Sequence, residues 1–262
     1  MNGDCKNGTE VIGLELDILG KKVNFCINAG QNQARLSDIV PLARTLCTKI
    51  TDIVLENATS NGDQIACHKG CLACCRHLIP LSVPEAFRLK EEIEAQTADR
   101  HELMWKTCIH AAHQILNQKP PAEFMSKTEE NSQAGCVDLN LVSQWYSSLH
   151  LDCPFLHSGV CAIYEQRPLV CREHYIIGSE KACREGGDVA KVLEMPVQMT
   201  TALGRLAGEL EVTSVEAVLL PLALVWCEEN HQRSEQTWPF EMMVRRFFEI
   251  VKEMACENAE IF

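Results

Sequence analysis

The sequence predicts a mainly α-helical chain with a small N-terminal β-hairpin, folded as a single irregular domain. Three observations carry that prediction. Apolar residues alternate with period two only between residues 12 and 27, and they recur at helical spacing through most of the remaining chain. No internal repeat or low-complexity linker divides the 262 residues. A composition of 46% hydrophobic and 23% charged residues is that of an ordinary globular protein with material for a core.

Ile12, Leu14, Leu16 and Ile18 alternate with Gly13, Glu15 and Asp17, and the alternation resumes at Val23, Phe25 and Ile27 after Leu19-Gly20-Lys21-Lys22. Period two on both sides of a Gly-containing turn reads as a hairpin. Ser37-Asp38 is suited to cap a helix whose apolar positions are Ile39, Leu42, Ala43, Leu46, Ile50, Ile53 and Val54, with Pro41 tolerable in its first turn. Ser82-Val83-Pro84-Glu85 is a capping box, and Arg88/Glu92 and Lys90/Glu94 are i,i+4 ion pairs, so a helix is expected over about 83–97. Another is expected over about 100–117, with Met104, Cys108, Ala111, Ala112 and Ile115 on one face. Residues 118–137, polar and containing Pro and Gly, read as a loop. A shorter helix from Asp138 turns Leu139, Val142, Trp145 or Tyr146, and Leu149 inward. Thr213-Ser214-Val215-Glu216 is a further capping box, expected to open a buried helix that is apolar nearly all round. The last helix carries Phe240, Met243, Val244, Phe247, Phe248, Val251 and Met254, and the two are expected to pair as a hairpin. Three stretches follow: a hairpin with a helix in 1–60, a cysteine-rich region in 61–190, and a helical region packed on it in 191–262.

The abnormal number is 15 cysteines. A chain of this length does not need disulfides to fold, and an odd count excludes complete internal pairing. The N-terminus, Met1-Asn2-Gly3-Asp4-Cys5-Lys6, has no basic region followed by an apolar stretch. The longest apolar run, 217–227, is too short to span a bilayer and is interrupted by Pro221. A cytoplasmic protein is therefore expected, and in a reducing compartment clustered thiols point to metal binding or catalysis.

Eight cysteines fall into two groups: Cys67, Cys71, Cys74 and Cys75, then Cys153, Cys161, Cys171 and Cys183. The first reads C-x3-C-x2-C-C, and gaps of two or three residues, with Gly70 to let the backbone turn, allow neighbouring thiolates to converge on one metal or cluster face. Cys74 and Cys75 are adjacent, and adjacent side chains diverge. That points to a multinuclear cluster, to two sites, or to one ligand beside a bystander. Cys47, Cys108 and Cys227 lie at apolar helix positions and read as small core hydrophobes. Cys5, Cys26 and Cys256 carry no signal, and Cys136, beside Gly135, is a reserve ligand. His68, His77, His157 and His174 stand in or near the two groups as alternative ligands or proton carriers, and His110 and His113 lie one turn apart without the acidic partner of an H-E-x-x-H site.

The second group reads Cys153-Pro154-Phe155-Leu156, then Cys161-Ala162-Ile163-Tyr164-Glu165-Gln166-Arg167-Pro168, then Cys171-Arg172. With the first group this resembles the YkgJ-type cysteine-cluster family of zinc- or iron-chelating domains, at residues 67–90 and 153–184. The resemblance implies a metal-stapled domain whose ligands are Cys67, Cys71, Cys74, Cys75, Cys153, Cys161, Cys171 and Cys183. It gives Tyr164, Glu165, Arg167 and Arg172 a supporting role around them. The occupant is an iron–sulfur cluster, with 4Fe–4S favoured, or zinc. Flagellin lysine N-methylases are that family's best-described functional relatives.

A net charge of −12 argues against general nucleic-acid binding and against anionic membranes. It is unevenly spread: 206–262 holds 11 acidic and 4 basic residues, whereas Cys67 to Lys90 holds Lys69, Arg76, Arg88 and Lys90 against Glu85 alone. Cations near a tetrathiolate centre offset its charge. The sequence contains no G-x-G-x-x-G and no Walker-type loop, and Gly204 and Gly208 read as helix packing rather than a nucleotide cradle. The leading expectation is a metal-binding protein of unassigned reaction. The alternatives are a protein lysine N-methylase that uses the cluster and a zinc-stapled module whose acidic C-terminal helices bind a partner protein; whether the chain is an enzyme stays open.

Overall fold

Strand β1 (Glu10–Ile18) pairs antiparallel with β2 (Lys21–Ala29) across nine residue pairs. The turn between them, Leu19-Gly20, has both residues at positive φ, the type I′ geometry whose twist matches that of the strands. These coordinates are a computed structural model that describes residues 10–30, 32–118, 121, 139–179 and 191–258. The expected loop at 118–137 lies almost wholly outside them, as do Cys5, Cys136 and Cys183. Ile12, Leu14, Leu16 and Ile18 are buried as the alternation predicts, but on β2 only Val23 and Ala29 are, and Phe25 and Ile27 are half-covered.

A short bridge strand β3 (Gln33–Ala34) leads into a 3₁₀ turn at Leu36–Ile39 and then α1 (Val40–Ser60). The expected Ser37-Asp38 cap works differently from its reading. Asp38 accepts the Arg35 amide at 2.8 Å and starts the 3₁₀ turn, while the buried Ser37 hydroxyl donates to Glu91 at 2.8 Å. β4 (Pro80–Ser82) precedes α2 (Val83–Glu94), whose capping box at Ser82 and Glu85 forms as expected. α3 (Ala98–Leu116) buries Met104, Cys108, Ala111, Ala112 and Ile115, the face read from the sequence. α4 (Leu139–Ser148) turns Val142 and Tyr146 inward.

Past α4 the chain forms the small hairpin β5 (Leu156–His157) and β6 (Val160–Cys161), the short helix α5 (Leu169–Glu173), and the pair β7 (Ile176–Ile177) and β8 (Lys191–Val192). α6 (Met199–Glu211) follows and ends at Val212 in the left-handed conformation. The helix expected to open at Thr213–Glu216 does not. Ala217–Leu219 is instead a strand, β9, paired with Pro80–Ser82, and a helix, α7 (Ala223–Glu229), begins only after Pro221. Glu216 caps nothing; its carboxylate accepts Trp226 Nε1–H at 3.1 Å and pairs with Arg233 at 2.9 Å. α8 (His231–Ser234), β10 (Trp238–Pro239) and α9 (Phe240–Asn258) complete the described chain.

The expected helical hairpin is replaced by another pairing, because α9 packs chiefly on α6 and on β1. Its face of Met243, Val244, Phe247, Phe248, Ile250, Val251 and Met254 is buried, worth about 1.5–3 kcal/mol per large side chain. Phe248 meets Phe25 edge to face at 6.1 Å, which joins the hairpin to the same core as α1, α2, α6 and α9. The fold is thus mainly α with an N-terminal hairpin, built on one hydrophobic core. Among the described residues, no helix is long and apolar enough to cross a membrane.

Candidate metal centre

The first cysteine group sits on a segment with little regular structure, 61–79, which closes into a 3₁₀ turn at Ala73–Arg76. Gly70, at φ +96°, makes the bend between Cys67 and Cys71. The second group is carried by the β5–β6 hairpin and α5. Ser158-Gly159 between the two strands takes positive φ at both residues, a tight turn that sets Cys161 beside Leu156.

Two sets of backbone bonds join the groups, one across 78 residues of sequence and the other across 110 to 114. The Cys153 amide donates to the Cys75 carbonyl at 2.7 Å. On the other side Ile65 bridges Ile177, Ala66 N–H donates to Ile176 O at 2.9 Å, and Gly178 N–H donates to Gln64 O at 2.8 Å. The Cys67 sulfur accepts the Ile176 amide at 3.3 Å. Cys67, Cys71, Cys74, Cys75, Cys153, Cys161 and Cys171 are all free thiols of intermediate exposure, near enough to one another to interact electrostatically. Cys183 lies outside the described residues. Cys47, Cys108 and Cys227 are buried as core residues, and Cys26 and Cys256 are exposed.

The thiols differ in how readily they ionise. A hydrogen bond from Cys75 brings Cys74 down to about 6, helped by the nearby Arg167, while the same bond and burial push Cys75 up. Burial raises Cys153 to about 12 and also raises Cys67, Cys161 and Cys171, and neighbouring sulfurs add to each rise. Several thiolates cannot coexist here without a compensating cation, and a bound metal inverts that penalty. The donor set therefore fits a chelated metal. Among the described residues, no three Cys, His, Asp or Glu side chains converge on one point as a metal site.

The residues of the Y-E-x-R-P stretch support this region. Arg167 stacks on Tyr164, 3.8 Å from the ring centroid, and Lys69 of the first group lies over the same ring at 4.8 Å. Arg172 holds the turn by donating to the carbonyls of Arg167, at 3.0 Å, and of Glu165. Glu165 itself is exposed, 4.0 Å from Lys69. Arg44 of α1 grips both Glu92 oxygens at 2.6 and 3.0 Å and the Gln166 carbonyl at 3.0 Å, which ties the turn to the helical core.

Two buried carboxylates were legible only in part. Glu85 is not just a cap: its second oxygen accepts the Leu169 amide at 2.8 Å and so anchors the start of the helix that carries Cys171. Glu173, without any signal in the sequence, accepts the first amide of α6 from Met199 at 2.8 Å. Burial raises Glu173 to about 8. Of the histidines, His77 and His174 line one cavity with Cys74 and Cys171. His68 is exposed and turned to its own backbone, at Ala66 O, 3.2 Å. His157, His110 and His113 are exposed and stand apart from that cavity.

Residues 66–185 match the CxxCxxCC family model, described as a "putative zinc- or iron-chelating domain". No curated protein and no solved structure matches the chain.

Proposed function

We propose that the chain chelates zinc or iron in a centre joining residues 67–75 to 153–183. Cys67, Cys71, Cys74, Cys75, Cys153, Cys161 and Cys171 serve as thiolate ligands and Cys183 as the eighth. The observation that carries this reading is the folding of the two cysteine groups onto each other through the Cys75–Cys153 and 64–66 to 176–178 backbone bonds. The match to a chelating domain over residues 66–185 supports it. The chain's own part is to hold the thiols in place, to keep Arg167 beside Cys74, Cys161 and Cys171 as a counter-charge, and to pin the 164–168 turn through Arg44 and Arg172. A bound metal supplies the positive charge under which the remaining thiols ionise.

An iron–sulfur cluster, 4Fe–4S, is the favoured occupant, because eight thiolates exceed the four of one zinc site and tandem cysteines suit a multinuclear core. Such a centre belongs in a reducing compartment, the cytoplasm, where thiols stay available. Protein purified without oxygen is expected to be brown, with iron and acid-labile sulfide bound. Colourless protein with stoichiometric zinc overturns the cluster, since zinc is redox-inert and closed tetrathiolate sites are structural. Protein that binds neither metal overturns the whole reading.

A further inference from the structure

Two short turns in the centre share one pattern. Cys74 lies in the turn Ala73–Arg76, and His77 is the residue that ends it; Cys171 lies in Leu169–Glu173, and His174 ends that. Each turn thus places a thiol and an imidazole three residues apart, the spacing at which helical side chains are neighbours. All four residues line one cavity of about 270 Å³, floored by Leu78, Ile79 and Val170. The His77 and His174 rings stand edge to face with centroids 6.1 Å apart. With metal–nitrogen bonds of about 2.0 Å, two imidazoles on a tetrahedral ion bring their centroids to about 5 Å. Drawing the rings in therefore takes about 1 Å of relative travel.

We propose that Cys74, His77, Cys171 and His174 form a mixed thiolate–imidazole site for one tetrahedral divalent ion, zinc or ferrous iron, at the face of the centre that opens to this cavity. The proposal rests on the chelating centre above and divides its ligands, because Cys67, Cys71, Cys75, Cys153, Cys161 and Cys183 are left for the thiolate-only part. Cys74 and Cys75, adjacent in sequence, then serve different metals. Charge favours the same division. Two thiolates and two neutral imidazoles around a divalent ion carry no net charge, whereas four thiolates would leave a dianion in a partly covered position. His77 is exposed and His174 half-covered, so the ion enters from the cavity side.

X-ray absorption at the edge of the metal carried by anaerobically purified protein tests this. The expected spectrum shows nitrogen scatterers at about 2.0 Å with imidazole multiple scattering, beside sulfur at about 2.3 Å. The His77→Ala/His174→Ala variant is expected to lose the imidazole signal and about one metal ion per chain, while His157→Ala keeps both. An all-sulfur shell in the wild-type chain, or an unchanged spectrum in the double variant, overturns the mixed site and leaves the chelating centre standing. A wild-type chain without bound metal overturns both.

Discussion

The Cys74 thiol is thiolate at neutral pH in the metal-free chain, because Cys75 donates to it and Arg167 lies near, whereas burial keeps Cys153 and Cys171 protonated. Thiolate is the reactive form. Iodoacetamide at neutral pH is therefore expected to modify Cys74 well before Cys153 or Cys171 in reduced, metal-free protein, as followed by peptide mass spectrometry; equal rates would contradict the thiol environments described. Glu173 gives a second test at this scale. Its folded value of about 8 exceeds the ordinary carboxylate range, so the fold holds it protonated where the unfolded chain releases its proton. The stability it carries is full below the ordinary carboxylate range and is lost as pH rises through about 8. Glu173→Gln keeps an acceptor for the Met199 amide and removes the titration. The variant should gain on the wild type by at least about 1 kcal/mol, or about 2–4 °C in melting temperature, between about pH 5 and pH 8. A constant gap across that range would refute the assignment. The cysteines were legible because their spacing is a long pattern that chance seldom produces. Glu173 was not, since one carboxylate carries no mark of burial until the amide it meets, Met199, is known.

At the scale of elements, the helices with strong local signals formed where their patterns lie. The α2 capping box, the α3 face and the α9 stripe needed only neighbours a turn away. The Thr213–Glu216 box failed because its outcome was decided at a distance. Pro80–Ser82 offered the 217–219 backbone a strand partner, and Trp226 and Arg233 took the Glu216 carboxylate. Glu85 shows local and remote roles in one side chain. It closes the α2 cap through both the amide and the hydroxyl of Ser82, and it holds the Leu169 amide that starts the Cys171 helix. Glu85→Ala leaves buried donors without a partner, at a cost of about 2–4 kcal/mol. It is also expected to weaken metal retention, because α5 loses its anchor. Chemical denaturation and metal content measured on the same preparation check both; a variant that loses stability but retains full metal would separate α5 from the centre.

For the whole molecule, one apolar core of hairpin and helices forms a scaffold against which the two cysteine groups are held. Arg44 and Glu85 are the struts between core and centre. The core's composition and the cysteine motif were both legible in the sequence. The contact between residues 64–75 and 153–178 was implied only by family resemblance, since β-type bonds between irregular segments leave no periodicity to read. The most direct test of chelation by the two cysteine groups is metal and sulfide content per chain after anaerobic purification, comparing the wild type with Cys74→Ser/Cys171→Ser and with the core variant Cys108→Ser. Bound metal is expected in the wild type and in Cys108→Ser and less of it in the double variant, whereas equal metal content in all three, or none in the wild type, would contradict chelation by these cysteines.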